Sequence, residues 1–172
     1  MVFSSITFLF YFLPIVLVIY YLVPFKAKNI ILMISSLIFY FYGEPIYTLL
    51  MIFSIIYSYI FGLLIDKYRN KSKIFLGCFL SISLGMLIYF KYFNFLISNI
   101  NLWLYNKIDF INVILPIGIS FYTFQMISYV VDVYLDKVKV QKSIFKLALY
   151  ISLFPQLIAG PIVRYNYIEK QL

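Results

Sequence analysis

Histidine is absent from this sequence, and charged residues are scarce. Charged residues make up 12% of the chain and hydrophobic residues 65%, whereas soluble domains carry roughly 25% charged and roughly 45–50% apolar residues. A soluble fold of 172 residues cannot hide that much apolar surface from water. The composition therefore predicts a protein whose solvent is a lipid bilayer. The single cysteine, Cys78, excludes an intrachain disulfide.

The basic residues that are present lie between apolar segments. The net charge is +8, but this placement is typical of membrane proteins and not of nucleic-acid-binding domains. No nucleic-acid partner is therefore expected. No basic stretch precedes the first apolar run, and that run is longer than the apolar core of a cleavable signal peptide. Residues 3–23 are therefore predicted to form a first transmembrane helix.

Apolar runs of helix length predict an all-α, polytopic transmembrane bundle with about five to six membrane segments and a broken helix near its C-terminal end. The chain is expected to form a single domain. Residues 92–110, which are rich in asparagine, are either an interfacial helix or an extension of the preceding helix. The predicted segments are 3–23, 29–42, 46–65, 74–90, 111–131 and 144–159.

The loops between these segments differ in charge. Loops 26–28, 67–73 and 137–146 hold two, four and four basic residues, whereas loops 43–45 and 91–110 hold none and two. Since cytoplasmic loops are enriched in Lys and Arg, this alternation predicts an extracytoplasmic N-terminus.

A stripe of small residues recurs every four positions in the segment 74–90. It consists of Gly77, Ser81 and Gly85. Such a stripe lets two helix backbones approach closely. It predicts packing of another helix against this face.

The stretch LPIGISFYTFQMISYVVDVY, residues 115–134, places polar groups inside an apolar run. Pro116 and Gly118 are predicted to break the helix at its start. Gln125 and Ser128 lie three residues apart and share one helical face. They either form hydrogen bonds between packed helices or line a pocket.

Asp132 extends this polar face toward the basic loop 137–146. It lies four residues after Ser128, one helical turn away. The position at the membrane boundary predicts a carboxylate that is either solvated or paired with Lys137.

The stretch FPQLIAGPIVRY, residues 154–165, interrupts the last apolar run. Broken backbone at membrane depth is tolerated only where it is buried in protein or lines a wet cavity. Gln156 and Arg164 would give such a cavity an amide and a cation suited to a carboxylate or phosphate. Alternatively, Arg164 lies at the lipid interface and the prolines only end a helix. The residues predicted to break the helix are Pro155, Gly160 and Pro161.

Four stretches together resemble the membrane-bound O-acyltransferase family, in particular its bacterial branch of alginate O-acetyltransferases. The last two, in this order and spacing, are the more specific. The stretches are MVFSSITFLFYFLPIV at the start, FYGEP at 41–45, LPIGISFYTFQMISYVVDVY at 115–134 and FPQLIAGPIVRY at 154–165.

The resemblance implies a multi-pass enzyme of the bacterial inner membrane, with helices that surround a tunnel. It implies transfer of an acyl group, often acetyl, to a hydroxyl of an extracytoplasmic polysaccharide, cell-wall polymer or partner protein. Acetyl-CoA or another acyl thioester is the expected donor, with no tightly bound cofactor and no metal. The residues expected to line the tunnel or bind substrate are Gln125, Ser128, Gln156 and Arg164.

The sequence departs from the family in one respect. The family's invariant histidine, the expected base on the acceptor hydroxyl, lies in a second half that is not matched here. Glu44, in an outer turn, and Asp132, at the inner boundary, are poor substitutes. Residues 1–172 are therefore expected to be the N-terminal part of such an enzyme, or a truncated reading frame, and to be inactive alone.

Several partners and two other functions follow from these patterns. The expected partners are the lipid bilayer, the missing C-terminal half, and an extracytoplasmic acetyltransferase or acyl-carrier protein. Because broken helices also mark transport sites, a transporter-like or flippase-like module is one alternative. A noncatalytic membrane subunit is the other.

Overall fold

All regular structure is helical in the residues that the computed structural model describes, which are 5–103, 109–110, 115–159 and 163–168. The all-α prediction is therefore confirmed. The helices are α1 (a π-helical turn, Phe8–Phe12, continued by Leu13–Leu22), α2 (Phe25–Gly43), α3 (Pro45–Lys67), α4 (Ser72–Leu87), α5 (Phe93–Asn101), α6 (Ile119–Tyr134), α7 (Ile144–Ser152), α8 (Phe154–Ala159) and α9 (Tyr165–Ile168).

Prolines mark three of the helix boundaries. Pro24 precedes α2, and Pro45 is the first residue of α3, where the missing N–H is not needed for the helical ladder. Pro14 is the second residue of Leu13–Leu22, just after the π-helical turn Phe8–Phe12, so the wider turn comes where proline cannot complete the α-helical ladder.

Two helices are long and apolar enough to cross a membrane. One is α3, and the other is the continuous helix Arg69–Asn101, which has 33 residues and a length of about 50 Å. The latter contains α4, a π-helical turn at Ile88–Tyr92 and α5. Of the two interpretations of residues 92–110, the described part supports the helix extension. Shorter apolar helices cover Phe8–Leu22 and Ala27–Gly43.

The run 144–159 forms two helices, separated at Leu153, two residues before Pro155. Two other details of the sequence prediction need correction. The helix predicted at 111–131 begins only at Ile119, and residues 111–114 lie outside the described part. The stripe of Gly77, Ser81 and Gly85 faces outward. A Cβ built on either glycine meets nothing within 4 Å, so no described helix of this chain packs there.

Helix α3 lies at the centre of the bundle. It packs against α2, α4, α6 and α7, and α6 in turn contacts α4, α7 and α8. Many large apolar side chains of α1 to α4 remain exposed, as expected for surfaces that face lipid or further protein. The fully buried large side chains include Met51, Ile65, Phe79, Tyr122, Met126, Tyr129, Leu147, Tyr150 and Ile151.

The loops meet at two opposite ends of α3. Arg69, just after α3, pairs with Asp136 at 2.8 Å, so the basic segments 66–71 and 135–142 lie at one end. Glu44, just before α3, accepts a hydrogen bond from the Ile117 backbone N–H at 3.0 Å, so the turn 43–45, which has no basic residue, and the residues just before α6 lie at the other end. This arrangement agrees with the alternation of loop charge in the sequence.

Candidate functional site between α6 and the broken helix α7–α8

The start of α6 lies against the backbone of α8. Gly118, the residue before α6, has φ +74°, in the left-handed region that favours glycine. A Cβ at this position would lie 3.0 Å from the carbonyl oxygen of Leu157 in α8. Helix α6 begins directly after Gly118, and the absence of a side chain there allows the two backbones to approach closely.

The break between α7 and α8 has a clear local cause. Pro155 has no N–H to donate to the Ile151 carbonyl, and its ring would clash with that carbonyl in a continuous helix. Leu153 leaves the helical conformation, with φ −54° and ψ 109°. The break therefore lies before Phe154, and Pro155 is accommodated within the first turn of α8.

The backbone groups at this break form hydrogen bonds both with α8 and with a side chain of α2. The Leu153 carbonyl accepts hydrogen bonds from the N–H groups of Gln156 and Leu157, at 3.0 and 3.2 Å. The Phe154 N–H donates to the Ser36 hydroxyl of α2 at 3.4 Å. Because Ser36 is fully buried, the broken backbone lies inside the protein. Non-helical backbone within a membrane is tolerated only where it is buried in this way or lines a wet cavity.

Two of the predicted site residues meet across this contact. The Gln125 side chain of α6 donates from Nε2 to Oε1 of Gln156 in α8, at 3.0 Å. Gln125 is only 1% exposed, and Gln156 is half-buried. The hydrogen bond therefore joins the two most specific sequence motifs at a single buried point.

Several buried polar atoms of α6 and α7 have no hydrogen-bond partner among the described residues. A hydroxyl or amide left unpaired in the protein interior costs about 1–3 kcal/mol. Helices α6 and α7 therefore contain an unusual number of unpaired buried polar atoms for an apolar core. The atoms are Tyr122 Oη, Thr123 Oγ1 and Gln125 Oε1 on α6, and Ser152 Oγ at the end of α7.

The other predicted residues do not join the glutamines. Ser128 is half-buried and Arg164 is exposed. Within the ranges that the structure describes, no hydrogen bond joins either side chain to Gln125 or Gln156. Their role in a tunnel stays a prediction, and Gly160 and Pro161 lie outside the described residues.

Asp132 was expected to be solvated or to pair with Lys137, and both expectations are wrong. Asp132 is only 7% exposed, and its Oδ2 has no hydrogen-bond partner in the described part of the chain. Lys137 contacts Asp132 only through the backbone, where its N–H donates to the Asp132 carbonyl at 2.9 Å. This contact closes the end of α6, where Asp136 adopts φ 57°, as in a Schellman motif.

A cluster of tyrosines beneath the site was not predicted from the sequence. Tyr165, fully buried, packs edge-on against Tyr129 and Tyr150, with ring centroids 4.9 and 5.2 Å apart. Tyr150 Oη donates to the Val163 carbonyl at 2.8 Å. The final tyrosine of FPQLIAGPIVRY therefore anchors the motif to α6 and α7. The sequence signal that could have pointed to this cluster was the position of Tyr165 at the end of that specific motif.

Charged residues at the two ends of α6 were also missed. The Glu44 carboxylate lies at the N-terminal end, and the Arg69 guanidinium donates to the Val133 and Tyr134 carbonyls at the C-terminal end, at 3.1 and 3.4 Å. Both charges complement the helix dipole. Since these two residues flank α3, they fix the polar helix in position along it.

Fold and site together define an all-helical protein with two candidate membrane-spanning helices and a broken helix buried against a polar one. The chain is 37% identical over 180 residues to a probable alginate O-acetylase of Pseudomonas syringae pv. tomato, covering 99% of this chain and 34% of that protein. It is 36% identical to the probable alginate O-acetylase of Pseudomonas aeruginosa, over the same shares.

A relative with a different substrate name also matches. A peptidoglycan O-acetyltransferase of Helicobacter pylori is 31% identical over 202 residues, covering 99% of this chain and 38% of that protein. The resemblance inferred from the four stretches is thus confirmed, since 99% of the chain is similar to proteins named as O-acetyltransferases. It spans about a third of the length of the curated relatives it matches. No family model and no solved structure matches it.

Proposed function

We propose that this chain forms the N-terminal part of a membrane O-acetyltransferase that acetylates a hydroxyl of an extracytoplasmic polysaccharide or cell-wall polymer. The observation that carries the proposal is similarity across 99% of the chain to proteins named for alginate and peptidoglycan O-acetylation. Because the chain spans only about a third of those relatives, the active enzyme is proposed to include further sequence.

The chemistry divides between this chain and the rest of the enzyme. The acceptor hydroxyl attacks the carbonyl carbon of an acyl thioester, the thiolate leaves, and a base takes the hydroxyl proton. The donor is proposed to be acetyl-CoA or another acyl thioester. These 172 residues contain no histidine, so the base is proposed to lie in the remaining sequence. An extracytoplasmic acetyltransferase or an acyl-carrier protein is a proposed partner.

The proposed contribution of this chain is scaffold and one wall of the acyl tunnel. The hydrogen bond between Gln125 and Gln156 supports this role because it places two amides at a backbone break. The unpaired buried atoms of Tyr122, Gln125 and Ser152 support it further, since they favour a polar ligand or polar groups from the rest of the enzyme. Ser128 and Arg164 are proposed to extend the same wall.

The proposed location is the bacterial inner membrane, crossed five or six times by this part of the chain, with an extracytoplasmic N-terminus. The supporting observations are the two long apolar helices and the segregation of the basic segments to one end of α3. A first, hydrophobic crossing by α1 and a last, broken crossing by α7 and α8 complete this topology.

Acetyl transfer by reconstituted protein tests the function. The full-length enzyme in proteoliposomes is expected to move labelled acetyl from a thioester donor to alginate or peptidoglycan fragments, and residues 1–172 alone are expected to move none. Transfer by residues 1–172 alone would show that this part contains its own base. Counterflow of a labelled solute without any acetylation would instead support the transporter alternative and overturn the proposal.

A further inference from the structure

The loop that joins α6 to α7 folds back along the bundle. The Gln141 N–H donates to Tyr129 Oη at 3.0 Å, and Tyr59 Oη donates to the Lys142 carbonyl at 2.8 Å. Tyr59 precedes the last residue of α3 by eight positions, about 12 Å along the helix axis. The loop therefore runs back along the side of the bundle instead of lying across its end.

Residues 139–142 of this loop form one side of a polar groove. The groove has a volume of about 480 Å³. Gln141 closes one part of it by donating from Nε2 to Tyr165 Oη at 2.7 Å, which joins the groove to the tyrosine cluster of the site. The lining residues are Asp66, Lys139, Val140, Gln141, Lys142 and Tyr165.

The positive charges of this groove are not balanced by its acids. Arg69 engages both nearby carboxylates, those of Asp66 at 3.0 Å and Asp136 at 2.8 Å. Lys139 and Lys142 are exposed, and in the ranges that the structure describes neither forms an ion pair. Two ammonium groups and a tyrosine hydroxyl thus border a cleft with excess positive charge.

We propose that this groove binds a phosphate-class anion between Lys139 and Lys142. An ammonium on a flexible stem binds phosphate as a point charge, and a partly enclosed cleft strengthens that attraction relative to open solvent. The two sources of such an anion are the headgroup of an anionic phospholipid and a phosphate-bearing solute from the aqueous side. The proposal concerns binding and does not depend on acetyl transfer.

Binding measurements on the full-length protein in nanodiscs test the proposal. One arm titrates pyrophosphate into protein in phosphatidylcholine nanodiscs by isothermal calorimetry. The other arm counts phosphatidylglycerol retained by the protein in native mass spectrometry, after extraction from mixed nanodiscs. Binding in the first arm identifies a solute source, and retention in the second identifies a lipid source. Either supports the site.

A matched pair of double variants makes the test specific. Lys139→Gln with Lys142→Gln is expected to weaken binding about tenfold or more, since charge-assisted contacts are lost. Lys137→Gln with Lys146→Gln removes the same charge from exposed positions outside the groove lining and is expected to change binding less than about twofold. Equal weakening by both pairs, or binding in neither arm with wild-type protein, would overturn the proposal.

Discussion

Nε2 of Gln125 lies 3.0 Å from Oε1 of Gln156 and donates a hydrogen bond to it. This bond crosses the contact between α6 and the short helix α8, beside the point where α7 is broken. It joins side chains of two helices next to the break at Leu153, and it is the structural core of the proposed site.

Replacing either glutamine should measure the strength of this contact. Gln125→Leu keeps the volume but leaves Gln156 without its donor, and we expect the free energy of unfolding to fall by about 1 kcal/mol. A double-mutant cycle with Gln156→Leu, followed by unfolding in mixed detergent micelles, gives the coupling. Additive effects of the two substitutions would show that the glutamines do not interact.

Gly118→Ala should destabilise the protein and displace α8. Alanine at φ +74° costs about 1–2 kcal/mol, and its Cβ would press on the Leu157 carbonyl. The control is Gly77→Ala in α4, where the added Cβ meets open space and helix propensity improves by up to about 1 kcal/mol. Equal stability of the two variants in thermal unfolding would contradict the close backbone contact.

Arg69→Lys should loosen the end of α6, although it keeps the charge. Lysine cannot reproduce the planar fork that reaches two carbonyls and two carboxylates. Since the side chain is 37% exposed, solvent screening limits the loss to about 1 kcal/mol. Hydrogen exchange at Leu135 and Asp136 should accelerate, whereas Lys71→Gln, on an exposed neighbour, should leave it unchanged. Identical hydrogen exchange in both variants would contradict the proposed role of Arg69 in holding the end of α6.

Cysteine labelling checks the predicted orientation. In a Cys78→Ala background, Asn70→Cys and Lys137→Cys should resist a membrane-impermeant maleimide applied to intact spheroplasts, because both lie at the basic end of α3. Tyr42→Cys, at the opposite end and exposed, should react. Labelling of Asn70→Cys and Tyr42→Cys from the same side would refute the topology.

The sequence predicts the helices well where apolar runs and turn residues agree. The segment 46–65 became α3, bounded by Pro45 and the basic loop. Helix α6 begins directly after Gly118, whose left-handed backbone is one that glycine tolerates best. Gln125 and Gln156 were both selected as polar residues inside apolar runs.

Tertiary contacts decided the features that the sequence did not predict. Asp132 lies close to a basic loop in sequence, yet that loop folds back and leaves Asp132 buried. The buried Phe154 N–H at the α7–α8 break donates to the Ser36 hydroxyl, which lies 118 residues away along the chain. The small-residue stripe of α4 follows a packing pattern, but no described residue of this chain contacts it. Local pattern carries no information about such distant partners.

Arg164→Ala in the full-length enzyme tests the proposal that Arg164 extends the tunnel wall. That proposal rests on the sequence motif that contains Arg164. Its side chain is exposed in this part of the protein, so substitution should leave membrane insertion and unfolding unchanged. If Arg164 binds an anionic group in the tunnel, acetyl transfer should fall by about tenfold or more. Unchanged transfer would assign Arg164 to the lipid interface.

The most direct test of the central claim is acetyl transfer by full-length enzyme with Gln125→Ala and Gln156→Ala, compared with Gly77→Ala as control. If the α6–α8 contact is a wall of the transfer site, kcat/KM should fall by about tenfold or more in the glutamine variant, measured at a temperature where that less stable variant is still folded and inserted. Wild-type kcat/KM in a folded glutamine variant would contradict the claim that this contact serves acyl transfer.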